Sequence, residues 1–391
     1  NNQISNSPYL NINLARNIYD IKDVVYGGEG DDYIYLGNQK TEAYGDDGND
    51  IIVSYSLSSN IQFLYGGDGN DTLKAGDGGA YLDGGAGTDH LVGGSGDDTF
   101  IVDEQDTYEE NDPNGGYDTI HISQNIDLSL GYLEAVTLLG SQNLSIYGNT
   151  SDNKLIGNAG NNYIDGRAGS DYMQGGLGND YYVVDTTETI ETDENGNTYF
   201  IEGDQVVEDV DGGIDTLERW EDARFISQDE NGNPVLTDSY KILENNIENL
   251  ILKGNAKTGF GNDLDNIIVG NEQDNYIDGL AGNDTYIFSR GGGTDTYSFE
   301  DNIDAVNILK IQGYSANDVS AQKYGDSVYL SFKGTNDHIW LSNYYIADTE
   351  NTTYKMDQIN FDSGVIWGVD DINTLVNRAL TNHAPTVNAA I

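Results

Sequence analysis

From Gly66 to Ile101 the chain repeats itself every nine residues, as GGDGNDTLK, AGDGGAYLD, GGAGTDHLV and GGSGDDTFI. The same period returns from Gly27 as GGEGDDYIY, a degenerate LGNQKTEAY and GDDGNDIIV. It returns again from Gly148 as GNTSDNKLI, GNAGNNYID, GRAGSDYMQ and GGLGNDYYV, and from Gly261 as GNDLDNIIV, GNEQDNYID and GLAGNDTYI. Glycine at the first, second and fourth places lets the backbone turn tightly. The sixth place is acidic at Asp32, Asp50, Asp71, Asp89, Asp98, Asp171, Asp180 and Asp284. It is an amide at Asn153, Asn162, Asn266 and Asn275, and is lost at Thr41 and Ala80. The eighth place is large and apolar in every unit but the degenerate one. One turn and one very short strand cannot bury an apolar residue alone, but stacked units can. A glycine-rich acidic stretch is otherwise read as a flexible linker, which has no reason to keep an unbroken apolar eighth position.

Charge narrows the chemistry. With 67 acidic and 17 basic residues among 391, the formal net charge is −50, and such a chain repels itself unless counter-ions are present. Nucleic acid and anionic membrane gain nothing from meeting more negative charge. Cysteine is absent, so neither disulfides nor thiolate metal sites are available. The 28 Tyr, 9 Phe and 3 Trp argue against simple disorder. Abundant hard oxygen ligands suit Ca²⁺, and a bound metal can serve as the staple that disulfides would provide.

These nonapeptides resemble those of the RTX (repeats-in-toxin, haemolysin-type calcium-binding) family, for which the pattern is already known. The resemblance implies an all-β fold. It consists of Ca²⁺-bound parallel β-roll (right-handed β-helix) blocks, β-rich connecting segments, a C-terminal β-rich cap domain and a short helix. In that family two nonapeptides make one coil, and each ion sits between same-side loops 18 residues apart, as Asp32/Asp50 and Asp71/Asp89 are. By resemblance the ligands in the first block are Gly27, Glu29, Asp32, Gly45, Asp47, Asp50, Gly66, Asp68, Asp71, Gly84, Ala86, Asp89, Gly93, Ser95 and Asp98. In the second they are Gly157, Ala159, Asn162, Gly166, Ala168, Asp171, Gly175, Leu177 and Asp180, and in the third Gly279, Ala281 and Asp284. Same-side loop pairs number about six, giving about six Ca²⁺ ions. An asparagine ligates without bringing charge, so loops such as GNTSDN and GNEQDN are weaker sites or empty coils.

The organisation that follows is a lead-in (1–26), a first block (27–101), a connecting segment (102–147), a second block (148–183), a connecting segment with hairpin insertions (184–260), a third block (261–298), a non-repetitive cap (299–380) and a linker (381–391). The connecting segments resemble each other: FIVD, GYDTIHI and LEAVTLLG against YVVD, GIDTLER and IENLILKG. Asp98 and Asp180 are 82 residues apart but Asp171 and Asp284 are 113 apart, so the second copy is 31 residues longer. The extra residues surround DENGN at Asp193 and at Asp229, where each Asn-Gly reads as a hairpin tip. The first DENGN could also present Asp193, Asn195 and Asn197 to Ca²⁺, but its glycine spacing does not fit an EF-hand loop and a plain turn is the better reading. After Arg290, GGGTDTYSF looks like a terminal half-degenerate repeat around Asp295. SVYLSF, HIWLSNYY and DQINFDSG alternate as short strands do, and DDINTLVNRAL predicts a helix opened by Asp370 and Asp371. GDSVYLSF and INFDSGVIW resemble the domain found beside many RTX arrays, whose task would be to cap the open roll.

No HExxH, GxSxG or cysteine nucleophile is present, and His90, His121, His338 and His383 have no acid–base partner nearby in sequence, so no enzyme activity is expected. Asp112-Pro113 in NDPNGG reads as a turn and not a self-cleavage site. No apolar run reaches the roughly 18 residues of a membrane span, so no membrane insertion is expected. The opening Asn1-Asn2 reads as the start of a processed protein, and NHAPTVNAAI as a linker to an immunoglobulin- or cadherin-like module. The RTX resemblance implies an extracellular, secreted or cell-surface module of a large Gram-negative adhesin or toxin. Its partners would be calcium ions and, during export, the type I secretion apparatus. Two alternatives stand beside it. One is an adhesin module binding a host glycan or protein through exposed Trp340, Tyr344, Tyr345 and Trp367; the other is an accessory module of a secreted hydrolase or epimerase.

Overall fold

The computed structural model describes residues 23–37, 40–57, 61–110, 112, 115–185, 189–192, 198–201, 203–222, 224–228, 234–298, 305–345 and 356–382. Within it the chain forms two compact units, residues 1–177 and 178–391.

Unit 1 is a parallel β-solenoid. One wall stacks Asp23–Glu29, Thr41–Asp47, Gln62–Asp68, Ala80–Ala86, Thr99–Val102, Thr119–Ile122, Ala135–Leu138, Lys154–Ile156 and Tyr172–Gln174, every neighbour parallel. The chain alternates between this wall and a second one. That second wall holds Tyr33–Leu36, Ile51–Ser54, Thr72–Lys74, His90–Val92 and Thr107–Glu109 in one sheet, and Ile126–Asp127, Ser145–Tyr147 and Tyr163–Asp165 in another. Inward apolar residues, most of them eighth positions, form a column on each wall: Ile34, Ile52, Leu73 and Leu91 on one, and Leu64, Leu82, Phe100, Ile120, Val136, Leu155 and Met173 on the other. All are sealed from solvent, and each buried side chain of this kind contributes about 1.5–3 kcal/mol. Even the degenerate unit forms a coil, with Ala43 stacked between Val25 and Leu64. Outside the wall, Tyr26, Tyr44 and Tyr65 stack with ring centroids 5.1 and 4.8 Å apart.

Thr119–Ile122 and Ala135–Leu138 come from GYDTIHI and LEAVTLLG, outside the nonapeptides, yet they pair parallel with Thr99–Val102 and Lys154–Ile156 on either side. The solenoid of unit 1 therefore runs on where the repeat lapses, because strand register and an inward apolar residue are all that a coil needs.

Unit 2 is built alike. One wall runs Tyr181–Val184, Thr216–Arg219, Asn249–Leu252, Ile267–Val269, Thr285–Ser289, Ile308–Gln312 and Gln358–Phe361 in parallel. Tyr182, Leu217, Leu250, Ile268, Tyr286, Leu309 and Ile359 form its column. The other wall runs Thr258–Phe260, Tyr276–Asp278, Thr294–Ser298 and His338–Leu341 in parallel, then turns antiparallel through Ser327–Phe332 and Val319–Tyr324. The expected helix is Val369–Asn382, with Asp370 and Asp371 in its positively polarised first turn and Ile372 and Val376 buried. It packs on Val319–Tyr324. Antiparallel hairpins Thr189–Thr192/Thr198–Ile201 and Arg224–Gln228/Pro234–Tyr240 flank the two Asn-Gly tips; the tips, both DENGN segments, His383 and the linker lie outside the described residues. Among the described residues no helix is long and apolar enough to cross a membrane.

Candidate metal centre

The glycine-rich loops stack along the edges of the solenoid, where the chain passes from one wall to the other. Gly27, Gly45, Gly66 and Gly84 are buried, whereas Glu29, Asp47, Asp68 and Ala86 are exposed, so the third place can reach the loop interior only through its backbone. The fourth glycine turns the chain at positive φ, as Gly48 does at 140° and Gly69 at 147°. Three non-glycine residues at the second place, Asp46, Arg167 and Leu280, adopt the same left-handed conformation at 74°, 61° and 64°. The sixth residue then points inward: Asp50, Asp71, Asp89 and Asp98 are each 1% exposed and Asp284 is fully buried.

These carboxylates form a ladder. The N–H of Asp32 donates to Asp50 Oδ1, that of Asp50 to Asp71 Oδ1 and that of Asp71 to Asp89 Oδ1, each at 2.7 Å. The ladder passes from Asp50 to Asp71 without a break, although these two are 21 residues apart and not 18. On that opposite edge, Ala80 and Gly94 donate to Asp98 at 2.6 and 2.7 Å. In unit 1 Asn153 donates to Asp171, and in unit 2 Asn266 donates to Asp284, at 2.7 and 2.9 Å.

One oxygen of each rung is thus spent on the preceding coil. The other is not: Oδ2 of Asp50, Asp71 and Asp89 is buried and has no hydrogen-bond partner. A buried, unpaired carboxylate is costly. Burial accordingly raises Asp50 and Asp89 to about 6 and Asp71, Asp98 and Asp284 to about 7. First-place glycines complete the cradle. A Cβ on Gly45 would lie 2.1 Å from Asp50 Oδ2 and 2.4 Å from the carbonyl of Gly66; on Gly66 it would meet the carbonyl of Gly84 at 2.2 Å and Asp71 Oδ2 at 2.3 Å. Carbonyl and carboxylate oxygens converging around a space no side chain may enter fit a hard cation bound by oxygen.

The amide loops use their side chains in another way. Oδ1 of Asn153, Asn162, Asn266 and Asn275 accepts the N–H four residues earlier, at 2.7–2.9 Å. Asn158, Asn262 and Asn271, at the second place, donate Nδ2 to carbonyls of the preceding coil at 3.0, 2.8 and 2.7 Å. In these loops a neutral amide with donors of its own stands where the charged loops present a carboxylate. The ligand set expected at Gly157, Ala159 and Asn162 falls in one of them, with Asn162 Nδ2 on Asn158 Oδ1 at 3.1 Å. Gly166, Ala168 and Asp171 form a charged loop of unit 1. Gly175 and Leu177 also lie in unit 1, Asp180 in unit 2, and Gly279, Ala281 and Asp284 in unit 2. Gly93 and Ser95 lie in the Asp98 loop.

Two carboxylates on the ladder were not among the expected ligands. Asp98 donates its N–H to Asp118 Oδ1, and Asp180 to Asp215 Oδ1, both at 2.7 Å. Asp118 and Asp215 in turn donate to Glu134 and Glu248. An Asp-Thr followed by an inward apolar residue, as in Asp71-Thr72-Leu73, is the signal they share: Asp118-Thr119-Ile120 and Asp215-Thr216-Leu217. Asp295-Thr296-Tyr297 carries it too, and Asp295 accepts the N–H of Asn275 at 3.0 Å.

The remaining singled-out residues sit in framework positions. His90 contacts Thr107 at 3.0 Å, His121 and His338 lie in strands, and Gly115 donates to the carbonyl of Asp112 at 2.9 Å, which closes a turn. Tyr344 is buried, Trp340 packs against Tyr324 and Tyr329, Trp367 against Phe361, and the Tyr345 hydroxyl donates to Asn373.

Comparison with known proteins agrees with the geometry. A family model described as RTX calcium-binding nonapeptide repeat matches four times, at residues 22–40, 65–100, 147–182 and 260–297. A second, the haemolysin-type calcium binding protein related domain, matches residues 328–371. No curated protein matches the chain. Among solved structures, the extracellular lipase LipA from Serratia marcescens is similar at 17% identity over 61% of this chain, with a TM-score of 0.14. This chain spans 45% of the lipase's length, and so distant a likeness carries no argument. Haemolysin-type repeats of this kind are typical of secreted proteins. On its repeats, its parallel β-roll coils and its haemolysin-related C-terminal segment, the chain is an RTX protein of the haemolysin-type calcium-binding family.

Proposed function

We propose that this chain is an extracellular module that stays extended until Ca²⁺ binds, folds after export through a type I secretion channel, and serves as a structural, secretion-supporting part of a large bacterial adhesin or toxin. The observation that carries the reading is the row of buried Oδ2 atoms on Asp50, Asp71 and Asp89, each without a hydrogen-bond partner. Without a cation these charges repel within a chain of net charge −50. With one, each ion ties two loops together and its binding free energy becomes folding free energy. Extracellular Ca²⁺ modules bind at about 10⁻⁴–10⁻³ M, which keeps such a chain unfolded in a low-Ca²⁺ cytosol and folds it outside. About six ions fill the charged loops, held by first- and third-place carbonyls and the sixth-place carboxylates. The role is structural and not catalytic. Packing of Tyr344, Trp340 and Trp367 within the C-terminal segment supports a capping role for them over a glycan-binding one.

Equilibrium dialysis against radioactive Ca²⁺ tests this. The wild-type chain should take up about six ions at millimolar Ca²⁺, and a chain carrying D50N, D71N and D89N should take up fewer. Equal uptake by the two proteins would refute the ligand assignment.

A further inference from the structure

Where each unit leaves its regular coil, the chain carries acidic residues that no repeat position accounts for. In unit 1 the strand Thr107–Glu109 ends its sheet, and Glu110 follows it. In unit 2 the strand Gln205–Val207 is followed by Glu208. Each glutamate opens an acidic turn that closes with Gly-Gly, one further residue and an aspartate: Glu110 to Asp118 and Glu208 to Asp215. The fold returns each turn to the last charged nonapeptide loop before it. Buried oxygens of Asp98, Glu110 and Asp118 lie within 4.8 Å of one another, and so do those of Asp180, Glu208 and Asp215.

Carboxylates cluster on many acidic surfaces, but these are interior. Oδ2 of Asp118 and of Asp215 has no hydrogen-bond partner, and the two residues are 1% and 0% exposed. Their Oδ1 atoms are held by the N–H groups of Asp98 and Asp180 at 2.7 Å, which fixes the orientation of the second oxygen. In unit 1 a Cβ on Gly93 would lie 2.1 Å from Glu110 Oε2 and 3.0 Å from Asp98 Oδ2, so these two oxygens converge on the same stretch of backbone. Oxygens that share one Ca²⁺ at about 2.4 Å are at most about 4.8 Å apart.

We propose that these two clusters are junction cation sites, one per unit, that bind Ca²⁺ more tightly than the nonapeptide loops and fill before them. The inference rests on the calcium reading above and adds a second class of site to it. Three carboxylates supply more charge than carbonyls with the two sixth-place aspartates of a loop pair, and affinity for Ca²⁺ rises with ligand charge. Filling a junction site pins the end of an excursion to the coil that precedes it, so the next coil starts in register. The two sites differ in one neighbour. Two residues after Asp98 stands Phe100, whereas two residues after Asp180 stands Tyr182, whose hydroxyl donates to Glu208. Both oxygens of Glu208 are therefore engaged, Oε2 by Tyr182 and Oε1 by the N–H of Asp209, and the unit 2 site is the weaker of the pair.

Isothermal titration of CaCl₂ into the full chain stripped with chelator tests this, with circular dichroism at saturating Ca²⁺ as the check on folding. The wild type should bind two ions in a tight class ahead of a weaker one. The E110Q/E208Q double variant should lose the tight class, its affinity falling by about tenfold or more, and keep the weaker class. Y182F, which retains the core ring, should tighten the second ion and leave the first unchanged, and it decides the matter if the double variant does not fold. A double variant that keeps both tight ions, or a wild type with one uniform class, would overturn the junction sites while leaving the repeat sites standing. A wild type that binds no Ca²⁺ would overturn both.

Discussion

Asp50 donates its backbone N–H to Oδ1 of Asp71 at 2.7 Å across 21 residues of sequence, and the second oxygen of Asp71 is left buried without a hydrogen-bond partner. One carboxylate therefore has two tasks: it registers a neighbouring coil and it offers a negative charge to the interior. The tasks respond differently to mutation and to conditions.

Asp71→Asn keeps an acceptor for Asp50 and removes the charge. In chelator this should favour the compact state, because an unpaired buried charge is gone. In saturating Ca²⁺ it should destabilise the fold by about 1–3 kcal/mol, because a ligand is gone. Urea unfolding followed by circular dichroism, with and without Ca²⁺, reads both signs. The same sign in both conditions would contradict the double role.

Acidity should act against calcium. Burial raises Asp50 to about 6, Asp71 to about 7 and Asp118 to about 8. Folded values above unfolded ones mean that the metal-free fold is favoured while these groups are protonated and loses that stability as pH rises through 6 to 8. Ca²⁺ requires the same oxygens ionised. The CaCl₂ midpoint for folding should therefore move to higher concentration as pH is lowered from 8 to 6, and a midpoint that does not move would show that these carboxylates are not the ligands.

Asn266→Asp tests the amide loops. Asn266 Nδ2 donates to the Glu248 carbonyl at 3.2 Å and to Asn262 Oδ1 at 3.1 Å. An ionised aspartate can do neither and would face both oxygens. In chelator the variant should lose about 1–3 kcal/mol, and added Ca²⁺ should restore part of it. Denaturant midpoints unchanged from the wild type would show that the amide does not hold the coil.

Much of this was legible in the sequence, for a simple reason. A period of nine with an apolar eighth place leaves one way to bury Leu82 or Ile268, which is against the same place in the next coil. The hidden part is what stacks without repeating. Asp118 and Asp215 lack the glycine doublet at the right distance before them, and only strand register shows that Thr119 pairs with Thr99 and Thr216 with Tyr181. The Asp50–Asp71 rung was concealed by a spacing of 21 residues where the repeat leads one to expect 18. Second-place Asn262 and Asn271 read as ordinary loop residues until their amides are seen to reach the preceding coil.

Leu280 sits where most charged loops carry glycine, at φ 64°. Left-handed backbone costs a residue with a Cβ about 1–2 kcal/mol. Leu280→Gly should stabilise the Ca²⁺-bound protein by about 1 kcal/mol, seen as a higher urea midpoint. A lower midpoint would mean that the side chain contributes more than the backbone loses.

The most direct measurement is circular dichroism together with hydrodynamic radius while CaCl₂ is titrated into chelator-stripped protein, with MgCl₂ as the control. A cooperative gain of β-structure with compaction near millimolar Ca²⁺, and none with Mg²⁺, is the expected result. A chain already compact and β-rich in excess chelator would contradict calcium-triggered folding.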